Sequence, residues 1–384
     1  MRELERPGAE EAVRRALREN PVCALLGPRQ CGKTTLARKI AGRGPRDHFF
    51  DLESAVGRSR LSEPELALAP LEGLVVVDEI QRMPALFETL RPLADRRPSP
   101  ARFLVLGSAS PDLVRGVSET LAGRVGFVDL GGFELRETGP RSENRLWLRG
   151  GFPPSFLAAG DEASYRWRRD FLRSLLERDV PQLGIRIPSE TLRRFWQMLA
   201  HVHGGVLNLS ELGRSLGVSD HTVSRYLDVL VGMYLVRRLP PWFENLSKRQ
   251  TKSPKVYVRD SGLLHALLSI ESRSDLEGHP KLGASWEGFA LEQVLARVPG
   301  REAYFWGTHA GAELDLLVLQ GKRRIGFEFK RADAPSMTKS LHVALEDLRL
   351  DRACIVYPGR KRYPVHDRVD AIPLSDLDAA FPGR

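Results

Sequence analysis

From the N-terminus to about Glu137, short apolar runs alternate with stretches of helical period. The runs are Val22–Leu26, Phe49–Leu52, Leu74–Asp78, Phe103–Leu106 and Val125–Leu130. Such alternation predicts βαβ units and a parallel sheet. From about Ser142 to Leu230 the pattern is helical, and two strand-like segments follow, Tyr234–Leu239 and Lys255–Val258. The last block opens near Gly262 with helices, one of them over Trp286–Leu295. It then gives strands at Ala303–Trp306, Leu314–Leu319 and Ile325–Lys330, a helix over Ser336–Leu348 and a strand at Ala353–Tyr357. These changes of period predict three domains, 1–140, 141–261 and 262–384: an α/β core, a helical middle and an α/β end.

Composition narrows the class. The 384 residues are 42% hydrophobic and 28% charged, enough apolar content for real cores and too much for disorder. Cys23, Cys31 and Cys354 are odd in number and unpaired in spacing, which indicates neither a disulfide framework nor a zinc knuckle. The start, Met1-Arg-Glu-Leu-Glu-Arg-Pro, lacks the apolar stretch of a signal peptide, and no run reaches membrane-span length. A cytoplasmic protein with no membrane partner is expected.

The net charge of +9 is unevenly placed. Residues 1–140 carry 21 basic and 20 acidic side chains, 141–260 carry 20 and 12, and 261–384 carry 17 of each. The surplus therefore belongs to the middle of the chain.

Gly27-Pro-Arg-Gln-Cys-Gly-Lys-Thr34 fits the spacing G-x-x-x-x-G-K-[ST], with an apolar strand entering it and an amphipathic helix leaving it. Glycines let backbone N–H groups wrap a polyphosphate, and the helix N-terminus adds to the anion site. ATP with Mg²⁺ is the expected ligand, held by Gly27, Pro28, Arg29, Gln30, Cys31, Gly32, Lys33, Thr34 and Thr35. Lys33 would reach the β- and γ-phosphates and Thr34 the Mg²⁺. The strand Leu74–Asp78 ends in two carboxylates, Asp78 to hold Mg²⁺ through water and Glu79 to polarise the attacking water. Ser108, at the end of another apolar strand, is a candidate sensor of the γ-phosphate. Arg124 is a candidate arginine finger for a neighbouring subunit, with Arg115 a competitor for that role.

The phosphate loop, Asp-Glu-Ile-Gln-Arg-Met-Pro (Asp78–Pro84), Gly-Ser-Ala-Ser (Gly107–Ser110) and Leu-Ala-Gly-Arg (Leu121–Arg124) together resemble AAA-superfamily ATPases of the AAA_14 type. The resemblance covers essentially the whole chain. It implies a ring-forming or clustered homo-oligomer in which Arg124 acts in trans.

In the middle block, Asn208–Leu230 reads as helix, tight turn, helix. Ser210 and Ser219 are candidate caps, Gly217 is the turn, and Val223, Leu227 and Leu230 form the buried face. His221, Thr222 and Arg225 would face outward where a recognition helix meets DNA. With the two strands as a wing, a winged helix is expected. Arg237, Arg238, Lys248, Arg249, Lys252 and Lys255 would contact phosphates largely independently of sequence. Trp242 and Phe243 could stack or wedge against bases, or pack.

At the C-terminal end, Asp315, Glu328 and Lys330 form a D…ExK pattern, with Glu287 on the preceding helix. Period-two alternation puts Glu328 and Lys330 on one face. The arrangement resembles the nuclease fold named for its PD-(D/E)xK motif, which implies Mg²⁺ held by Asp315 and Glu328. Lys330 would position water, and Glu287 would assist.

The expected function is ATP hydrolysis coupled to remodelling or translocating DNA, including branched DNA such as Holliday junctions. An ATP-regulated, metal-dependent nuclease and a nucleotide switch that recruits protein partners are the alternatives.

Overall fold

The structure is a computed structural model that describes residues 4–42, 48–98, 100–108, 117, 119–182, 185, 187–243 and 250–381. The chain divides into two compact units: residues 1–133 with 228–234, and residues 134–227 with 235–384.

The first unit is built on five parallel strands in the order β2-β3-β4-β1-β5. They are β1 (Val22–Gly27), β2 (Phe49–Asp51), β3 (Gly73–Asp78), β4 (Ala101–Ser108) and β5 (Val125–Asp129). β1 is buried along its full length, so both faces of the sheet are covered. Its side chains alternate between two cores: Val22, Ala24 and Leu26 pack with Leu90 and Phe103, while Cys23 and Leu25 pack with Leu36 and Val13. Helix α1 (Pro7–Glu19) starts at a proline and carries Val13 and Ala16 inward. Helix α2 (Lys33–Ala41) begins directly on Gly32, whose left-handed φ of 99° turns the chain into the helix.

Parallel pairing fixes which residues meet at the C-terminal edge of this sheet. Gly27 on β1 lies beside Ser108 on β4, and Asp51 on β2 lies beside Asp78 on β3. Arg124 precedes β5, whose first residue pairs with Val22 at the start of β1. It therefore sits at the opposite, N-terminal edge.

The second unit combines helices with a six-stranded sheet of order β12-β13-β11-β10-β9-β8 and a two-stranded antiparallel ribbon. The ribbon is β6 (Val236–Leu239) with β7 (Lys255–Val258). The sheet comprises β8 (Ala303–Gly307), β9 (Glu313–Gln320), β10 (Arg323–Phe329), β11 (Arg352–Tyr357), β12 (Tyr363–His366) and β13 (Val369–Pro373). β8, β9 and β10 are antiparallel neighbours, and β11 returns parallel to β10 after the helix Lys339–Asp347. That helix buries Leu341, Ala344 and Leu345 against Trp306, Leu314 and Leu317. The hairpin β12–β13 has no clear signal in the sequence, where Pro358, Pro364 and the charges of 358–370 obscure alternation.

Residues expected to form separate middle and C-terminal domains share this one unit. Buried polar contacts run between the two expected blocks, among them Trp147 with Ser285 and His265 with the Leu148 carbonyl. The Trp147 indole donates to Ser285 Oγ at 2.9 Å, and His265 Nε2 lies 2.7 Å from the same oxygen. Within the middle segment, helices Leu209–Leu216 and Asp220–Gly232 are joined through Gly217 at φ 71°. Asn208, rather than Ser210, caps the first of them, accepting from the Glu211 N–H at 3.1 Å. The Ser210 hydroxyl instead donates to Asp220 at 2.6 Å. Ser219 Oγ accepts from the Thr222 N–H at 3.3 Å and so caps the second. Among the described residues, no helix is long and apolar enough to cross a membrane.

Candidate functional site

The loop after β1 is shaped by its backbone. Gly27 has no room for a side chain, since a Cβ there would lie 2.0 Å from the Leu130 carbonyl oxygen. Gln30 and Gly32 both take positive φ, 60° and 99°. A loop that alternates handedness in this way turns successive N–H groups toward a common centre, the geometry that cradles phosphate. Pro28 and Arg29 lie on the loop, with Arg29 ion-paired to Glu53 at 3.2 Å, and Cys31 is fully buried beneath it. Arg6 donates to the carbonyls of Cys31, Gly131 and Gly132 at 3.1, 3.1 and 2.9 Å.

Lys33 is 5% exposed and its ammonium donates to the Gly27 and Pro28 carbonyls at 3.0 and 2.9 Å. Thr34 donates its hydroxyl to Asp78 Oδ2 at 2.7 Å, while the next residue, Thr35, is exposed. Burial pushes the Asp78 carboxyl above its ordinary range, a shift that the Thr34 bond and the Lys33 charge oppose. The oxygens of Thr34 and Asp78 thus converge as a hard-donor pair suited to the Mg²⁺ of MgATP.

Glu79 follows Asp78 in a left-handed conformation, φ 56°, which turns its side chain off the strand line. Its carboxylate accepts from Gln81 Nε2. The remaining amide oxygen of Gln81 and the Ser108 hydroxyl are buried with no partner. Unpartnered buried polar atoms are costly, of the order of 1–3 kcal/mol each, and mark a place where a ligand group or water belongs. Ser108 stands there because the β1–β4 register sets it beside Gly27. Gln81 belongs to the Asp78–Pro84 stretch, and its hold on Glu79 has no signal in the spacing.

Arg124 was expected to stand free as a finger. It is instead held by Asp95, with Nε–Oδ1 and Nη2–Oδ2 distances of 2.6 and 2.8 Å, and also donates to the Ala122 carbonyl. The competing Arg115 and Ser110 lie outside the described residues.

The expected DNA contacts divide. His221, Arg225, Arg238 and Lys252 are exposed and Thr222 is half-buried. Lys248 and Arg249 lie outside the described residues. Arg237 and Lys255, by contrast, are engaged by acids of the protein itself. Arg237 and Arg259 clasp Glu292, at 2.8 and 3.3 Å. Burial would raise that carboxyl, but the two guanidiniums hold it down at about 2. Lys255 is 4% exposed and turned into the protein, because both faces of β7 are covered. Trp242 packs edge-on against Tyr304 with ring centres 5.0 Å apart and has Arg324 over its face, whereas Phe243 is 53% exposed.

The C-terminal acids are brought together, but not as metal ligands. Lys255 reaches Glu287 at 3.4 Å, pairs with Glu313, and lies 3.9 Å from Asp315. The Tyr257 hydroxyl donates to Glu287 at 2.6 Å. Asp315 Oδ2 accepts from the Phe329 N–H at 2.9 Å. Glu328 is separately engaged by Lys330 at 2.9 Å and by the Thr338 hydroxyl at 3.2 and 3.0 Å. Among the described residues no group of three or more His, Cys, Asp or Glu side chains is placed to hold a metal ion. The expected Mg²⁺ pair, Asp315 with Glu328, is therefore not a fit. Lys330 belongs to the D…ExK pattern, but Lys255 and Thr338 come from segments that the pattern does not include.

A family model described as an AAA domain, of the AAA_14 family, matches residues 19–139. Residues 141–274 and 282–377 match two models, each described as a domain of unknown function (DUF8612 and DUF4143). Among solved structures, the Walker-type ATPase of Pyrococcus abyssi is 15% identical with a TM-score of 0.46, covering 69% of this chain and 96% of that one. A RuvB variant of Thermotoga maritima is 17% identical with a TM-score of 0.30, covering 62% and 90%. The uncharacterized proteins Mb2031c of Mycobacterium bovis and Rv2008c of Mycobacterium tuberculosis are each 52% identical over 374 residues, 97% of this chain and 85% of theirs. At that identity and span the chain belongs to the family of these two mycobacterial proteins, with an AAA-type P-loop ATPase core over 19–139.

Proposed function

We propose that the protein hydrolyses ATP at the phosphate loop and uses the turnover to remodel or translocate DNA, duplex or branched, as a homo-oligomer. The observation that carries the catalytic half is the convergence of Lys33, Thr34, Asp78 and Glu79 beside the unpartnered Ser108 hydroxyl. In this reading MgATP is the substrate. Lys33 leaves its loop carbonyls for the β- and γ-phosphates, and Thr34 and Asp78 meet the metal ion. Glu79 orients the attacking water, Ser108 senses the γ-phosphate, and Arg124 leaves Asp95 to act on a neighbouring subunit's nucleotide.

The DNA half rests on the helix pair Leu209–Leu216 and Asp220–Gly232 followed by the β6–β7 ribbon, which supports a winged-helix reading. His221 and Arg225 are exposed on the N-terminal half of the second helix. A nuclease-like scaffold is the corresponding reading of the C-terminal sheet. That reading rests on the D…ExK residues on β9 and at the end of β10 and on Glu287 in the helix Leu282–Arg297.

The test is steady-state phosphate release with and without duplex or branched DNA at about 50 mM salt, where phosphate contacts are strong. Wild type is expected to turn over ATP faster with DNA. Mixing Glu79→Gln with Arg124→Ala protein is expected to restore activity that neither has alone. Failure to bind DNA at that salt would sink the DNA half and leave a nucleotide switch that recruits protein partners. The inward-facing Lys255 and the Glu292-bound Arg237 already favour that second reading.

A further inference from the structure

We infer that Lys255 stands in a divalent cation's place within the C-terminal carboxylate cluster, so that its ammonium fills the cation position, offsets part of the acids' charge, and no metal ion is taken up there. The inference rests on the cluster alone and holds whichever partner the middle segment binds.

Three carboxylates from two elements face one point. Glu287 comes from the helix Leu282–Arg297, and Glu313 and Asp315 come from the same face of β9, two residues apart. Like charges so gathered, with Glu287 and Asp315 largely covered and Glu313 half exposed, need a cation, for otherwise each raises the cost of ionising the next. β7 delivers one. Strand period two puts Lys255 and Tyr257 on one face of β7, and both reach Glu287. The Lys255 ammonium then touches Glu287, Glu313 and Asp315 and lies 5.6 Å from the centre of the Phe305 ring. An apolar ring is a favourable neighbour for an ammonium. It has no electron pair in the ring plane to give a hard metal ion.

The electrostatics agree in direction. Burial alone would depress the lysine, yet Glu287, Asp315 and Glu313 lift it well above the ordinary range, so it stays charged. Burial and the Glu287 charge push Asp315 up to about 8, with Lys255 opposing. A dication would require those same oxygens at roughly 2.0–2.6 Å from its centre, inside the volume that the ammonium fills. Displacing Lys255 would part its ammonium from these acids on a strand covered on both faces.

The experiment uses the full chain without nucleotide and Mn²⁺ as the probe, with free Mn²⁺ read by electron paramagnetic resonance. Wild-type binding is expected to be unchanged by Asp315→Asn. Lys255→Met is expected to gain a site at least about tenfold tighter than any in wild type, lost again when Asp315→Asn is added. A wild-type site abolished by Asp315→Asn overturns the inference, and so does a folded Lys255→Met protein that gains nothing. Should Lys255→Met fail to fold, wild type alone decides by acetic anhydride labelling and mass spectrometry. Lys255 is expected to stay protected with or without about 10 mM Mn²⁺, far above the affinities of ordinary protein sites for hard cations. Labelling that rises with Mn²⁺ overturns the inference.

Discussion

Lys33 and Lys255 are both almost entirely out of solvent, and they are held in opposite ways. Lys33 donates to two neutral carbonyls of its own loop. Lys255 is gripped by three acids. A buried ammonium costs several kcal/mol unless it is compensated. Backbone carbonyls compensate Lys33 only in part, which leaves its charge available to an arriving polyphosphate. Carboxylates compensate Lys255 fully and leave nothing for a ligand. The residue type is the same and the burial is the same; what differs is whether the partner is neutral or charged. A buried lysine therefore announces a ligand site only when its partners are weaker than the ligand would be.

The contrast can be broken at either lysine. Lys33→Met should cost ATP turnover about 10²–10³-fold, as the loss of a preorganised charge on a developing anion does, and should leave chemical denaturation nearly unchanged. A variant that keeps its turnover breaks the nucleotide-site half. Lys255→Met should do the reverse: lower the stability of its unit by about 3 kcal/mol at neutral pH while ATP binding, followed with a fluorescent nucleotide, stays put. Adding Glu287→Gln should return part of that loss, because one uncompensated acid is removed.

Glu292 sharpens the comparison from the acid side. Its carboxyl sits at about 2, against 4.5 for the free group, with Arg237 and Arg259 as the cause once burial is overcome. Its contribution, about 2 kcal/mol after allowance for screening, is present above pH 4.5 and is lost as pH falls through 2. Denaturation curves of wild type should weaken over that window, and those of Glu292→Gln should weaken less. The smallest effect belongs to the exposed face: Arg225→Ala should loosen DNA a few-fold and reduce the salt slope by about one.

What the sequence made legible follows the same division. Sites written in one continuous stretch could be read. The phosphate loop, the strand into Asp78 and Glu79, and the strand ending at Ser108 are each local, and the apolar runs place β1 and β3 within a residue of where they lie. Gly27 and Ser108 are 81 positions apart, yet each stands at the end of its own apolar strand, so parallel pairing alone brings them together. Lys255 was misplaced because a basic residue in a basic stretch looks solvated. Its acids lie 32 to 60 residues downstream, on a helix and a strand whose approach no local period encodes. Arg237 was misplaced for the same reason, and Arg124 because its partner Asp95 lies in a different connecting segment. Charge counting located the surplus in the middle of the chain and could not say which charges were already spent.

Arg6 lies outside every motif, yet its guanidinium ties the phosphate loop at Cys31 to the end of the β5 path at Gly131 and Gly132. Those carbonyls are separated by a hundred positions and share one donor. Any rearrangement of the loop around a nucleotide must therefore either carry the 131–132 segment with it or break a buried tether. The residues ahead of α1 are in this sense a mechanical part of the nucleotide site, and Arg6→Ala would uncouple the loop from the segment through which the chain leaves its first unit.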